Sequence, residues 1–282
     1  MTIQQAYHFL QEQLSTIYDD DEAANIADLV IEHITGYRKL GRITHKDLLI
    51  DEKKVQTLHT LIKNLLQQKP IQYVLGEAWF YEQKFHVNEH VLIPRPETEE
   101  LVELIASCKL PVTSILDVGT GSGCIPITLK KKLPKATITS LDVSVHALKV
   151  AQQNASNLNT AITFKELDFL KEDNWKELDS YDVIVSNPPY IKQSESATMH
   201  NNVLLFEPTV ALFVEDDDAL LFYRKIAIFG KTHLNPKGKI FVEINEQLGA
   251  ETIALFELYG YEATLKKDMQ GKDRMIVAWL NN

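Results

Sequence analysis

Short apolar runs alternate with helical patterns after residue 112, and this rhythm is the feature that most constrains the fold. The predicted strands of the alternating region are Ser114–Val118, Thr137–Asp142, Ile162–Phe164, Tyr181–Ser186 and Lys239–Ile244. Two further strands, Tyr261–Leu265 and Arg274–Leu280, are joined by turn residues around Gly271. Strands that alternate with helices form a mostly parallel sheet covered on both faces. Residues 113–282 are therefore predicted to form an α/β domain.

The first 75 residues carry a different pattern, with apolar residues spaced three and four apart as on one face of a helix. Such stripes cover Ile3–Ile17, Ile26–Ile34 and Val55–Leu65, which predicts a small helical bundle over residues 1–75. Residues 76–112 change to short aromatic and β-branched runs with a polar break at 82–84, followed by Pro96, which suits the start of a helix. This segment is predicted to be a connector made of a β-hairpin and a helix start.

The composition restricts the classes of partner. The chain has 29 Lys and Arg against 39 Asp and Glu, and a net charge of −10 opposes binding to a nucleic acid backbone. Two cysteines without metal-type spacing predict a reducing compartment, and His86 and His90 do not form the helical ligand pair of a metal site. Neither a secretory signal nor an apolar run of about 20 residues is found, so a cytoplasmic protein without membrane contact is expected.

A glycine-rich loop follows the first predicted strand of the α/β domain, in the stretch ILDVGTGSGCIPI at residues 115–127. Glycines there let a ligand approach the backbone and leave amide donors at a helix start. The third glycine comes one residue too early for a dinucleotide fingerprint, and the carboxylate of Asp117 disfavours a pyrophosphate. A cationic or neutral ligand is predicted, contacted by Asp117, Gly119, Thr120, Gly121, Ser122 and Gly123.

Acidic residues end the next two strands. Asp142 lies 19 residues after Gly123, where a carboxylate accepts hydrogen bonds from ribose hydroxyls. Asp168 and Phe169 follow the third strand and offer an acceptor beside a flat ring, which suits an adenine amino group and its π face. These residues predict the nucleoside half of a binding site.

The fourth strand ends in the tetrapeptide Asn187-Pro188-Pro189-Tyr190, at the edge where open α/β sheets bind ligands. Two prolines fix a stiff turn whose carbonyls are not used by a neighbouring strand. The Asn187 side-chain oxygen and the Pro188 carbonyl are predicted to accept both hydrogens of a planar NH2 group and to aim its nitrogen at an activated methyl group. Tyr190 is predicted to stack on the flat substrate.

Together these motifs resemble those of class I S-adenosylmethionine-dependent methyltransferases, which implies a Rossmann-like sheet and S-adenosylmethionine as the cofactor. The resemblance is closest to the HemK/PrmC family, the release factor glutamine methyltransferases. It is carried by Lys69–Val102, the DVGTGSGCIPI loop, SNPPYI, Glu207-Pro208, FYRKI from Phe222 and KDMQGKDRMIVA near the end. It implies methylation of the glutamine side chain in the Gly-Gly-Gln loop of class 1 peptide chain release factors, with the helical N-terminal domain binding that substrate.

One segment departs from this family, because VEDDDALLFYR stands where its members carry a glycine-containing GG-x-D-G-L before the YR pair. Two related activities share the NPPY motif and stay open at this stage: glutamine methylation of a ribosomal protein and adenine-N6 methylation of a nucleic acid. The net charge and the lack of an evident basic recognition segment oppose the second activity. A noncatalytic adaptor is the remaining alternative, although a pure binding module has no need of an amide-aligning turn.

Overall fold

The computed structural model describes residues 1–108 and 110–281, which form two compact units. One unit comprises Met1–Glu77 with His200–Phe206, and the other comprises Ala78–Met199 with Glu207–Asn282. Within the described residues the helices are α1 (Ile3–Leu14), α2 (Asp20–Thr35), α3 (Lys39–Thr44), α4 (Glu52–Leu65), α5 (Ile71–Leu75), α6 (Pro96–Ala106), α7 (Cys124–Lys132), α8 (Val145–Asn157), α9 (Asn201–Phe206), α10 (Thr209–Leu212), α11 (Leu221–His233) and α12 (Gly249–Leu258).

The strands of the same residues are β1 (Glu77–Phe80), β2 (Gln83–His86), β3 (Ser114–Val118), β4 (Thr137–Asp142), β5 (Thr163–Glu166), β6 (Tyr181–Ser186), β7 (Ile191–Lys192), β8 (Phe213–Val214), β9 (Leu234–Glu243), β10 (Tyr261–Lys267) and β11 (Asp273–Leu280). No helix in the described part of the chain combines the length and the apolar character needed to cross a bilayer.

The smaller unit is a helical bundle, as the apolar spacing predicted. Asp19 and Asp51 cap the first turns of α2 and α4 through their side-chain oxygens, and Gly36 ends α2 in the left-handed conformation. The buried stripes of α1, α2 and α4 share one core, with Leu10, Ile31 and Leu58 fully buried. The stability of this unit therefore comes from packing amphipathic helices against one another.

The larger unit is built on a seven-stranded sheet in the order β10-β11-β9-β6-β3-β4-β5. Strands β9, β6, β3, β4 and β5 are parallel, while β10 and β11 add an antiparallel hairpin at one edge. The predicted α/β fold with a mostly parallel sheet is confirmed. The chain runs from β3 outward to β4 and β5 and then crosses to β6 on the other side, so the carboxyl ends of β3 and β6 border a crevice.

Four predicted strands have different bounds in the structure; of these, β10 ends at Lys267 where Leu265 was predicted, and β11 begins at Asp273 where Arg274 was predicted. Strand β5 covers Thr163–Glu166, where Ile162–Phe164 was predicted. Strand β9 begins at Leu234, which pairs with Tyr181, whereas the apolar pattern predicted a start at residue 239. Pro236 and Gly238 lie inside this early part of the strand and interrupt the apolar pattern on which the prediction depended.

The predicted β-hairpin is formed by β1 and β2, which are joined at Tyr81 and Glu82. Both residues have positive φ, 51° and 60°, as in the two-residue turns whose twist matches that of the flanking strands. The turn lies one residue before the predicted polar break at 82–84. Helix α6 begins at Pro96 as predicted, because proline is already set for the first helical position and needs no amide hydrogen there.

Candidate functional site

A cavity of about 340 Å³ lies at the carboxyl ends of β3, β4 and β6, within the larger unit. Its wall includes most of the residues that the sequence singled out for a ligand: Gly119, Thr120, Gly121, Ser122, Asp142, Asp168, Phe169, Asn187 and Pro189. His90, Arg95, Thr98 and Phe222 also line it. The crossover of the chain between β5 and β6 explains why residues so distant in sequence share one cavity.

The glycine loop leaves open space beside the cavity. Gly119 and Gly121 have φ of 80° and 54°, and beyond the adjacent residues of the chain a Cβ atom on either would meet no heavy atom within 4 Å. A ligand can therefore reach this backbone closely. Gly123 has a different role. A Cβ atom there would lie 3.1 Å from side-chain atoms of Ala151 and Ile127, so the absence of a side chain allows α7 to pack closely against α8.

Asp117 is fully buried beneath the loop. The Ser140 hydroxyl lies 2.5 Å from its Oδ2 and 2.7 Å from Thr120 Oγ1, while no described residue offers a hydrogen bond to Asp117 Oδ1. Burial, opposed by these hydroxyls, raises the pKa of Asp117 to about 7. The Ser122 hydroxyl is likewise buried without a partner among the described residues. Ser122 lines the cavity, whereas Asp117 lies behind the lining residue Val118. An unpartnered buried hydroxyl in the cavity wall is available to a polar ligand.

Asp142 lines the cavity and holds two loops through its carboxylate. Its Oδ2 accepts the Gly121 amide at 2.9 Å and its Oδ1 accepts the Ser144 amide at 2.9 Å. Burial raises the pKa of this carboxyl, and the backbone amides of Ser144, Gly121 and Val143 oppose that effect. Each oxygen retains a second lone pair, so Asp142 can still accept hydrogen bonds from a pair of ligand hydroxyls.

Phe169 contributes to both the cavity wall and the core. Its side chain is only 4% exposed, and its ring lies 5.5 Å from that of Trp175 and 5.3 Å from that of Phe229. The neighbouring Asp168 accepts the Leu170 amide at 3.1 Å and pairs with Lys171 at 3.2 Å. The aromatic cluster holds one wall of the cavity rigid, which favours a planar ligand at that place.

The tetrapeptide at the end of β6 is divided between cavity and core. Asn187 and Pro189 line the cavity, whereas Pro188 is buried and Tyr190 packs against the core with its hydroxyl donating to Glu243 Oε1 at 3.2 Å. Asn187 Nδ2 donates to the Thr98 hydroxyl at 3.0 Å. Among the described residues none donates to Asn187 Oδ1, on a residue that lines the cavity, or to the carbonyl of the buried Pro188, so the chain itself leaves both acceptors unused.

The sequence marked Thr98 only as part of the stretch Lys69–Val102 that carries the family resemblance, and it did not identify Glu243 behind Asn187. Thr98 is 3% exposed on the first turn of α6, and its hydroxyl donates to Glu243 Oε2 at 2.7 Å. Glu243 is 1% exposed at the end of β9. The available signal is one acid inside the apolar run IFVEI, because a carboxylate that ends a buried strand needs partners nearby.

An ion pair lies beside the cavity as well. Arg95 Nη2 is 2.6 Å from Glu207 Oε1, and the other oxygen of Glu207 accepts the Ile93 amide at 3.3 Å. The Glu207 side chain is 1% exposed, so the pair ties residues 93–95 to the segment before α10. In the segment where the sequence lacks the family's glycines, Asp216–Asp218 form a short 3-10 helix and Asp218 pairs with Arg224.

Comparison with known proteins places this site in context. A family model described as "Methyltransferase small domain" matches residues 98–216, and one described as "PrmC N-terminal domain" matches residues 3–76. The fold is similar to that of a methyltransferase from Pyrococcus furiosus, with a TM-score of 0.52 and 17% identity over 72% of this chain and 91% of that one. At this identity the likeness concerns the fold alone.

Two curated relatives carry the name "Release factor glutamine methyltransferase". The protein from Flavobacterium psychrophilum is 44% identical over 271 residues, which are 94% of each chain. The protein from Bacteroides thetaiotaomicron is 40% identical over 271 residues, which are 96% of this chain and 97% of the relative. Because this identity extends over nearly the full length of all three proteins, the chain belongs to the release factor glutamine methyltransferase family.

Proposed function

We propose that this protein transfers a methyl group from S-adenosylmethionine to the side-chain nitrogen of the glutamine in the Gly-Gly-Gln loop of class 1 peptide chain release factors. The pair of unoccupied acceptors at Asn187 Oδ1 and the Pro188 carbonyl supports transfer to a planar NH2 group. The names of the relatives support the choice of substrate. Release factors act on ribosomes, so this partner implies a cytoplasmic location, and the reaction requires no direct contact with nucleic acid.

The residues of the cavity fit S-adenosylmethionine. The open backbone at Gly119 and Gly121 admits close contact, and the unpaired Asp117 Oδ1 lies beneath that loop, where its negative charge favours a cationic ligand. Asp142 would hold the ribose hydroxyls, and Asp168 with Phe169 would hold the adenine. When bound, this cofactor supplies a methyl group on a positively charged sulfur.

The amide nitrogen of glutamine is a weak nucleophile, because its lone pair is delocalised into the carbonyl group. Asn187 Oδ1 and the Pro188 carbonyl would each accept one N–H, which fixes the nitrogen in place and stabilises the positive charge that develops on it. Pro189 closes the adjoining part of the cavity wall. The chain's own contribution is thus orientation and electrostatic stabilisation, and one proton leaves the nitrogen for solvent after transfer.

Mass spectrometry of the substrate tests this proposal. A purified release factor incubated with the enzyme and S-adenosylmethionine should gain one methyl group on the peptide that contains Gly-Gly-Gln, and fragmentation should place it on the glutamine. Two parallel reactions, with ribosomal proteins and with adenine-containing DNA and RNA, examine the other acceptors that share the NPPY motif. Methylation of either of these acceptors but not of the release factor would contradict the proposed substrate.

The affinity for S-adenosylmethionine should depend on pH through Asp117. Its pKa is about 7 in the ligand-free protein, and a bound positive charge would lower that pKa, so binding releases a proton near neutrality. Affinity is therefore expected to rise by up to roughly tenfold from pH 6 to pH 8, as linkage to one proton allows. Calorimetry in two buffers of different ionisation enthalpy measures both quantities. The Asp117→Asn variant should show a flatter profile, and an identical profile would contradict this role.

A further inference from the structure

We infer that Glu243 and Thr98 are positioning residues that decide which end of the Asn187 side chain faces the cavity, and that they thereby favour a glutamine amide over a glutamate carboxylate. This inference rests on the proposed function and goes beyond it, because it concerns how the site distinguishes two side chains of nearly the same shape. Neither residue is part of the NPPY tetrapeptide.

The three residues form a chain of hydrogen bonds with one direction. Asn187 Nδ2 lies 3.0 Å from Thr98 Oγ1, and Thr98 Oγ1 lies 2.7 Å from Glu243 Oε2. A hydroxyl group has a single hydrogen, and an ionised carboxylate only accepts. Thr98 must therefore donate to Glu243 and accept from Asn187, which leaves Nδ2 of Asn187 turned inward and Oδ1 turned away from Thr98.

The second oxygen of Glu243 reinforces the same polarity. Glu243 Oε1 accepts from the Tyr190 hydroxyl at 3.2 Å, so one carboxylate holds Tyr190 directly and Asn187 through Thr98. The reverse arrangement, in which Thr98 donates to Asn187 Oδ1, would require a proton on Glu243. Glu243 thus acts as the fixed acceptor from which the other hydrogen bonds take their direction.

Burial makes this arrangement strict. Glu243 and Thr98 are 1% and 3% exposed, so water does not compete for these hydrogen bonds. Burial raises the pKa of the Glu243 carboxyl above its usual value, and the hydroxyls of Thr98 and Tyr190 and the charge of Arg274 oppose that rise by favouring the ionised form. The Tyr223 hydroxyl donates to the backbone carbonyl of Glu243 at 3.1 Å and fixes the main chain at this point.

The consequence for specificity follows from the groups presented to the cavity. With Asn187 Oδ1 and the Pro188 carbonyl both accepting, the site matches the two N–H bonds of a glutamine side chain. A glutamate carboxylate would face two acceptors and could donate to neither, and such unpaired buried oxygens are strongly rejected. If the Asn187 amide were free to turn, Nδ2 would face the cavity part of the time and the rejection of a carboxylate would weaken.

The experiment compares four variants of the full-length enzyme. Thr98→Val removes the hydroxyl, Thr98→Ser keeps it, and Glu243→Gln replaces the fixed acceptor by a group that can also donate. Thr252→Val is the matched control. Thr252 is a fully buried threonine of α12, and among the described residues its hydroxyl donates only to the carbonyl of Leu248, the N-cap of that helix. Two readouts are measured: kcat with a release factor, and inhibition by the same factor carrying Gly-Gly-Glu.

Thr98→Val is expected to lower kcat by roughly 10- to 100-fold, as for a misplaced catalytic group. Thr98→Ser keeps the hydroxyl and should therefore retain most of the wild-type kcat. For Glu243→Gln the readout is the inhibition constant of the Gly-Gly-Glu factor divided by KM of the Gly-Gly-Gln factor. This ratio should fall at least about fivefold, because the Asn187 amide is no longer held in one orientation and its Nδ2 can then donate to a carboxylate. Thr252→Val should leave both readouts unchanged.

Equal turnover losses in Thr98→Ser and Thr98→Val, or an unchanged inhibition ratio in Glu243→Gln, would overturn the inference. Should Thr98→Val fail to fold by circular dichroism, the Glu243→Gln ratio decides alone. An inactive wild-type enzyme would instead refute the proposed function, so the two failures are distinguishable.

Discussion

Replacing Asn187 by alanine is expected to lower kcat for release factor methylation by about 100- to 1,000-fold, the range seen when one preorganised polar group is removed from an active site. The variant loses Oδ1, which no described residue engages and which is available to the substrate. Binding of S-adenosylmethionine should weaken by less than about threefold, because the nucleoside contacts proposed for Asp142, Asp168 and Phe169 are unchanged. Single-turnover kinetics and calorimetry separate these two quantities.

Asn235→Ala provides the control for this variant. Asn235 donates to Asp182 Oδ1 at 2.9 Å near the start of β9, at the opposite strand ends from the cavity, so its loss should affect stability and leave turnover intact. Turnover of Asn187→Ala within tenfold of the wild type would show that Asn187 does not align the substrate. A parallel loss of cofactor affinity would show instead that its main contact is with S-adenosylmethionine.

Replacing Asp142 by alanine is expected to weaken S-adenosylmethionine binding by about 100-fold. Two hydrogen bonds to an ionised carboxylate are lost, each of about 1.5 kcal/mol, and every 1.4 kcal/mol corresponds to a factor of ten. The amides of Gly121 and Ser144 lose their shared acceptor as well, which loosens the glycine loop. With cofactor at saturating concentration, kcat should fall by much less than affinity.

Asp142→Asn gives the intermediate case, because its side chain keeps one acceptor oxygen and should retain part of the affinity. Asp173→Ala, at an exposed residue of a 3-10 helix, is the control for removal of a negative charge. Titration calorimetry of all three variants gives the dissociation constants. An Asp142→Ala constant within threefold of the wild type would contradict the assignment of this residue to the ribose.

Much of the fold follows from local patterns in the sequence. Apolar runs such as Ser114–Val118 and Tyr181–Ser186 have strand length and end in turn-forming residues, and both strands are found with the predicted bounds. The start of β9 was missed, since Leu234 joins the sheet by pairing with Tyr181 across an interrupted pattern. The β-propensity of the residues predicts where a strand is favoured locally, whereas pairing with a strand that is distant in sequence can extend it beyond those residues.

The residues of the candidate site that could be predicted from the sequence are those that lie at or just after the end of a strand. Asp142, Asp168 and Asn187 each come directly at or after the carboxyl end of a strand, and a parallel sheet brings such ends together. Thr98 and Glu243 are separated by 145 residues and meet only through the packing of α6 against the end of β9. No periodicity or spacing in a single sequence encodes such a contact, so the hydrogen bonds behind Asn187 required the structure.

Three stretches of the chain line the cavity: residues 90–98, residues 118–170 before the crossover between β5 and β6, and residues from Asn187 onward after it. The stretch 118–170 contains the residues proposed for the methyl donor, and the stretch from Asn187 onward contains those proposed for the acceptor. Inherited changes in the later stretch can thus alter what is methylated while the donor machinery stays intact.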